Sequence, residues 1–137
     1  VSLKGGRQLR QRLDAIKTVW KPIARKWGRA DVAEMRTRVP VRTGRLRRSF
    51  RVTSVSGKKV RVGGHFSAYF VDAGPKPHDI RAKSGRLIFQ AGGRTIFARK
   101  VHHRGYAARP FRARSAHEAL EKTGLEKTLY ETWNGAA

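Results

Sequence analysis

The stretch Val39-Pro40-Val41-Arg42-Thr43-Gly44-Arg45-Leu46-Arg47-Arg48-Ser49-Phe50 decides the fold. Pro40 disfavours helix at Val39. Gly44 can take backbone angles closed to other residues, and Thr43 can cap a short turn through Leu46. The apolar period differs on the two sides. Before the stretch, Leu9, Leu13, Ile16, Trp20, Ile23, Trp27 and Ala30 recur in steps of four and three, the stripe of an amphipathic helix. After it begins, Phe50, Val52 and Ser54 alternate with Arg51, Thr53 and Val55, the period of a strand. The stretch is therefore a corner where a helix hands over to a sheet.

Working outward, the helical segment spans 5–38, with Val32 and Met35 extending the stripe and basic residues filling the other faces. Pro22 lacks a backbone donor and clashes with the preceding turn, which predicts a kink or break near 19–22. The stripe keeps its register across Pro22, so both pieces should cover one core. On the other side, a β region covers 50–103. Ser56-Gly57-Lys58 reads as a turn, and Val60 and Val62 as the return strand of a hairpin. Gly63-Gly64 breaks it. Ala68 to Val71 is a short apolar segment closed by Ala73-Gly74-Pro75. Ile80–Ala82, Leu87–Gln90 and Thr95–Val101 read as three further strands, with a turn at Gly92-Gly93. Residues 75–86, with two Pro, one Gly and one Ser, are expected as a projecting loop. A last helix over 111–132 has Ala116, Ala119, Leu120, Leu125, Leu129 and Trp133 as its apolar positions; Gly124 weakens its middle and Asn134-Gly135 ends it. The expected architecture is one α+β domain over 1–137: a long N-terminal helix, a mostly antiparallel sheet and a C-terminal helix.

Charge is the outstanding feature of the composition. Lys and Arg total 32 of 137 residues against 9 Asp and Glu, a net +23. The excess is +12 over 1–50 and +13 over 51–115, while 116–137 carries −2. Such a domain repels itself, so an anionic partner is expected. No apolar run approaches the ~18 residues of a membrane span. Val1 to Gly6 shows no apolar core followed by a cleavage site, so no secretory signal is expected there. With no Cys, disulfide scaffolds, Cys-based zinc sites and thiol nucleophiles are excluded.

Catalytic groups are scarce. Between 35 and 117 the only carboxylates are Asp72 and Asp79, and no nucleophile-elbow motif occurs. His65, His78, His102, His103 and His117 are candidate ligands, but adjacent His102 and His103 would face opposite ways on a strand. No enzyme, metal or cofactor is expected. Basic residues are plentiful: Arg42, Arg45, Arg47, Arg48 and Arg51 cluster, with Lys58, Lys59 and Arg61 on the hairpin that follows. These suit phosphates without reading sequence.

Three segments, in order, resemble a known family. Val39 to Phe50 is similar to its P-V-x-T-G-x-L-R-x-S signature. Tyr69 to Gly74 is similar to a shortened Y-x-x-x-V-E-x-G. Val101-His102-His103-Arg104-Gly105-Tyr106-Ala107-Ala108-Arg109-Pro110-Phe111 is similar to V-x-H-P-G-x-x-A-R-P-F. The stretch from His78-Asp79-Ile80 to Leu87-Ile88-Phe89 is similar to the longer members. The family is that of the neck or tail-completion proteins of long-tailed bacteriophages, and the resemblance covers about 9 to 130. Arg104 stands where Pro is usual and Asp72 where Glu is common; the chain is also more basic than expected for the family.

The resemblance implies a non-enzymatic virion protein of the head–tail junction, assembled in the bacterial host cytoplasm. It implies a homo-oligomeric ring, commonly six-fold. Its neighbours would be a head-side connector or stopper and a tail terminator or tail tube, and genomic DNA would pass through the lumen. Under it, Pro40, Thr43, Gly44, Leu46, Pro110 and Phe111 are fold determinants. Pro77, His78, Ile80, Lys83, Arg86 and Arg109 are candidate subunit contacts, and the 42–61 basic cluster is the candidate DNA path. The alternative is a free, sequence-nonspecific nucleic-acid-binding protein.

Overall fold

The computed structural model describes residues 5–136. Residues 1–4, and with them most of the terminus read as lacking a signal, lie outside the described residues. The elements are α1 (Gly6–Arg38), α2 (Arg45–Ser49), β1 (Arg51–Val55), β2 (Val60–Gly63), α3 (Ser67–Ala73), β3 (His78–Arg81), β4 (Leu87–Ala91), β5 (Arg94–Ala98), β6 (Lys100–His103), α4 (Arg112–Thr123) and α5 (Leu125–Gly135). The class is α+β, with a long first helix, antiparallel strands and helices at the C-terminal end. The strands form three two-stranded ladders rather than one sheet: β1–β2, β3–β6 and β4–β5. The chain divides into two compact units, one of residues 5–68 with 110–136, the other Tyr69–Arg109.

In the first unit α1, about 50 Å long at 1.5 Å per residue, packs against α4, α5 and the β1–β2 hairpin. It runs unbroken through Pro22, so of the kink or break expected near 19–22 the break does not occur. Pro22 lies on the exposed side. Ile16, Trp20, Ile23, Ala24 and Trp27 flank it with buried or half-buried side chains, and packing on both sides overrides a local preference. The core sits toward the C-terminal half of α1, around Ala24, Val32, Met35, Val39, Phe50, Phe111, Ala119 and Leu125. Leu9 and Leu13, expected in the same stripe, stay about half exposed. The hairpin sits directly on the helix backbone at Gly28, where a Cβ would lie 3.0 Å from Val60 and 3.1 Å from Val52. Trp20 Nε1 donates to Ser56 O at 2.5 Å and Trp27 Nε1 to Ala116 O at 3.4 Å, tying α1 to the hairpin turn and to α4.

Two sequence readings are corrected here. β1 carries a bulge between Val52 and Ser54, so Val52 and Val55 are the half-buried residues and strict alternation is lost. The helix expected over 111–132 is two helices, because Gly124 adopts the left-handed conformation and ends α4 while its carbonyl starts α5. At the corner, the short turn expected through Leu46 is the helix α2, which runs on to Ser49 with Gly44 at its N-cap. Val39 is extended, and Gly44 takes φ 72° and leads into α2. Phe111 is 4% exposed and meets Phe50 edge-on at 5.8 Å.

Ala68 to Val71, placed in the β region, belongs to helix α3, most of which lies in the second unit. The stretch 75–86, expected as a projecting loop, holds β3 at its centre. The span Thr95–Val101, expected as one strand, is divided at Arg99 into β5 and β6. The reason is register. Arg81 pairs Lys100 and Leu87 pairs Ala98, so residues 82–86 on one side face Arg99 alone on the other. β3–β6 and β4–β5 are thus the two parts of one interrupted ribbon, roughly 30 Å long, with Gly92-Gly93 at its tip.

Candidate functional site

The candidate DNA-path residues all lie in the first unit and all are exposed. Arg42 lies in the corner ahead of α2, Arg45, Arg47 and Arg48 ride on α2, and Arg51, Lys58, Lys59 and Arg61 belong to the hairpin. Arg48 folds back, donating to Thr43 O at 3.3 Å. Thr43 Oγ1 accepts the Arg45 backbone N–H at 3.4 Å, so the corner is partly closed by its own residues. Leu46 is half buried, and Pro40 and Pro110 are exposed next to buried Val39 and Phe111. Arg36 donates to Phe50 O at 2.7 Å, which fixes the start of β1 to α1.

Most acidic groups in this unit are engaged. Glu34 meets Lys122, with Arg38 at 3.9 Å, and Arg38 also pairs with Glu118, so α1 and α4 share an ion network. The Lys122 ammonium holds the Glu34 carboxyl below its usual range. Asp31 differs. It is 2% exposed in the face of α1 that packs on α4, and its Oδ1 has no hydrogen-bond partner. Burial pushes its carboxyl from 3.8 up to about 6, an effect partly offset by Arg112. The folded state therefore holds this proton more tightly than the unfolded chain. Its contribution to stability is full below about pH 4 and is lost as pH rises toward 6, by about 3 kcal/mol. Asp31→Asn should flatten that part of the pH–stability curve and exceed wild type above pH 6. Parallel denaturation midpoints for the two proteins from pH 4 to 7 would contradict the assignment.

The second unit has a different surface. None of its residues Tyr69–Arg109 is buried. The tip half of the ribbon carries apolar register pairs on both faces, beside the polar pair Gln90–Thr95. Ile88 and Phe97 are register partners, 66% and 58% exposed. Leu87 with Ala98 and Phe89 with Ile96 form the opposite face. Ile80, Leu87, Ile88, Phe89 and Val101 line an apolar cleft of about 310 Å³. Of the residues expected at subunit contacts, Ile80 lies in this cleft. His78 is on β3, Pro77 precedes it, and Lys83 and Arg86 fall in the five-residue excess; all are exposed. Arg109 donates its backbone N–H to Val71 O at 3.1 Å. The sequence reading did not single out Ile88, Phe89, Ile96 and Phe97 as surface residues, because alternating apolar residues read equally as core.

Polar pairs at the base of the ribbon follow its register. Asp79 faces His102 at 2.9 Å and Lys100 at 2.7 Å, and Lys100 first, then His102, hold its carboxyl below the usual range. His78 and His103 are partners with rings 5.0 Å apart. Among the described residues no three His, Asp or Glu side chains converge to hold a metal ion, and no helix is long and apolar enough to cross a membrane. Comparison with protein-family models, curated proteins and solved structures finds no match.

Proposed function

We propose that this chain is a structural protein of the head–tail junction of a long-tailed bacteriophage. It assembles, without catalysing a reaction, into a ring of identical subunits, six in the simplest case. The ring joins a head-side connector or stopper to a tail terminator or tail tube, and genomic DNA passes through it. Assembly takes place in the host cytoplasm. The observation that carries the reading is the uncovered apolar ribbon. A 41-residue unit with no buried residue and apolar pairs on two faces gains most by burying them against another copy. The three sequence motifs supply the place of that assembly. The excess of 32 basic over 9 acidic residues suits a lumen that conducts a polyanion.

The net charge of +23 favours the alternative, a free sequence-nonspecific nucleic-acid-binding protein. Labelling virions with a specific antibody and imaging them by electron microscopy separates the two. Label at the head–tail junction is the expected result. Protein found free in the lysate and absent from particles would replace the neck reading with the alternative.

A further inference from the structure

The first unit contains a groove that the 42–61 cluster does not include in full. Arg25, Arg29, Val52, Thr53, Ser54 and Val55 line a cleft of about 350 Å³ between α1 and β1. A second cleft of about 350 Å³, lined by Arg29, Val32, Ala33, Arg36 and Val52, shares Arg29 and Val52 with it. Together they make one trough along α1. From Arg25 to Arg36 it runs about 16 Å at 1.5 Å per residue, the axial rise of four to five nucleotides of one DNA strand.

The lining is cationic and supplied with further donors. No carboxylate lines either cleft. Arg25 and Arg29, one turn apart, form no ion pair among the described residues, where the acidic side chains of α1 are engaged or buried elsewhere. Thr53 Oγ1 is committed to Arg61 O at 3.0 Å, which leaves the Ser54 hydroxyl as the side-chain donor on the β1 side. Among the described residues β1 pairs only with β2, so its other edge has no strand partner there. Two guanidinium forks, a hydroxyl and strand-edge amides are the groups that bind phosphate oxygens.

We propose that this trough binds the phosphodiester backbone of double-stranded DNA, independently of sequence. The rival occupant, an acidic strand added to the β1 edge, is disfavoured by the bulge at Thr53, which breaks the straight register that strand addition needs. A phosphate chain needs no such register. The inference deepens the proposed DNA path and rests on it for the source of the DNA. Its test uses free duplex, so its failure leaves the ring reading intact, and that reading is judged separately on virions.

The experiment is fluorescence-anisotropy titration of a 20-base-pair duplex at several salt concentrations. It compares the full chain with Arg25→Gln/Arg29→Gln and with a charge-matched control, Arg94→Gln/Arg99→Gln. Circular dichroism confirms that each variant is folded. Loss of two phosphate contacts should lower the slope of log affinity against log salt by about 1.8, and weaken binding at 0.1 M salt roughly 50-fold. The control should change little. Equal losses in both variants would reduce the effect to net charge and overturn the proposal, as would an unchanged slope in the first. A polyglutamate probe that binds more tightly than the duplex and is lost with Arg25 and Arg29 would overturn it in favour of an acidic polypeptide.

Discussion

Alanine at position 105 is expected to abolish the β3–β6 ladder while leaving α1, α4 and α5 in place. Gly105 takes φ 73°, and a Cβ there would lie 2.4 Å from Pro75 O and 3.0 Å from Pro77 N. Gly74, on the opposing segment, has the same constraint, its Cβ falling 2.6 Å from Ala108 N. Residues 74–77 and 105–108 therefore pass backbone to backbone, joined by Tyr106 N–H to Pro75 O at 3.3 Å. The obstructing atoms are main chain and cannot rotate aside. The left-handed angle alone costs about 1–2 kcal/mol in a non-glycine residue, and the clash adds to it. Gly85→Ala isolates the first contribution, since Gly85 takes φ 64° with nothing within 4 Å. It should cost about 1–2 kcal/mol. Hydrogen exchange reads the difference. Amides of His78–Arg81 and Lys100–His103 should lose protection in Gly105→Ala and keep it in Gly85→Ala. Native protection in both would show that the two segments can separate without loss.

The contrast with Gly44 shows what could be read in the chain. A proline, a threonine and a glycine within five residues, between a 3.6-residue period and a two-residue period, announce a corner by local rules alone, and φ 72° at Gly44 agrees. A Cβ there would meet only the end of the Arg48 side chain, at 2.8 Å, and that end can move. Gly105 and Gly74 matter because of a segment about 30 residues away, and no local pattern carries that. Pro22 is the opposite case: the local rule is explicit, yet packing on both sides of it prevails. The bulge at Thr53 placed Val55 with Val52, which alternation forbids. The candidate site divides in the same way. Clustered arginines at 42–51 are visible in one dimension. The Arg25–Arg29 trough needs β1 laid beside α1, and the exposure of Ile88 and Phe97 needs the ribbon to be seen without a cover.

That exposure yields the largest expected effect on assembly. In the proposed ring, the pair Ile88→Glu/Phe97→Lys should release 15.5 kDa monomers without unfolding them. The two positions are register partners on one face of the ribbon, so opposite charges there can pair across the strands and preserve the ladder. Both side chains are more than half exposed, so the isolated subunit buries little there to lose. In a ring the same two side chains would be covered by a neighbour, and burial of each stabilises an interface by about 1.5–3 kcal/mol. Removing both weakens each contact by roughly 3–6 kcal/mol, a factor of about 10² to 10⁴ in its dissociation constant. A closed ring needs all its contacts at once, so a loss at each of them disassembles it. Light scattering coupled to size exclusion measures the outcome, and hydrogen exchange across β4 and β5 confirms that the ribbon persists. Leu9 and Leu13 give the comparison, because they form a second uncovered apolar stretch, on α1 and apart from the ribbon. If Leu9→Gln/Leu13→Gln disperses the assembly and the ribbon variant does not, the subunit contact belongs to the first helix. If the ribbon variant alone disperses it, the second unit owes its stability to a neighbouring copy, which accounts for a segment with no core of its own.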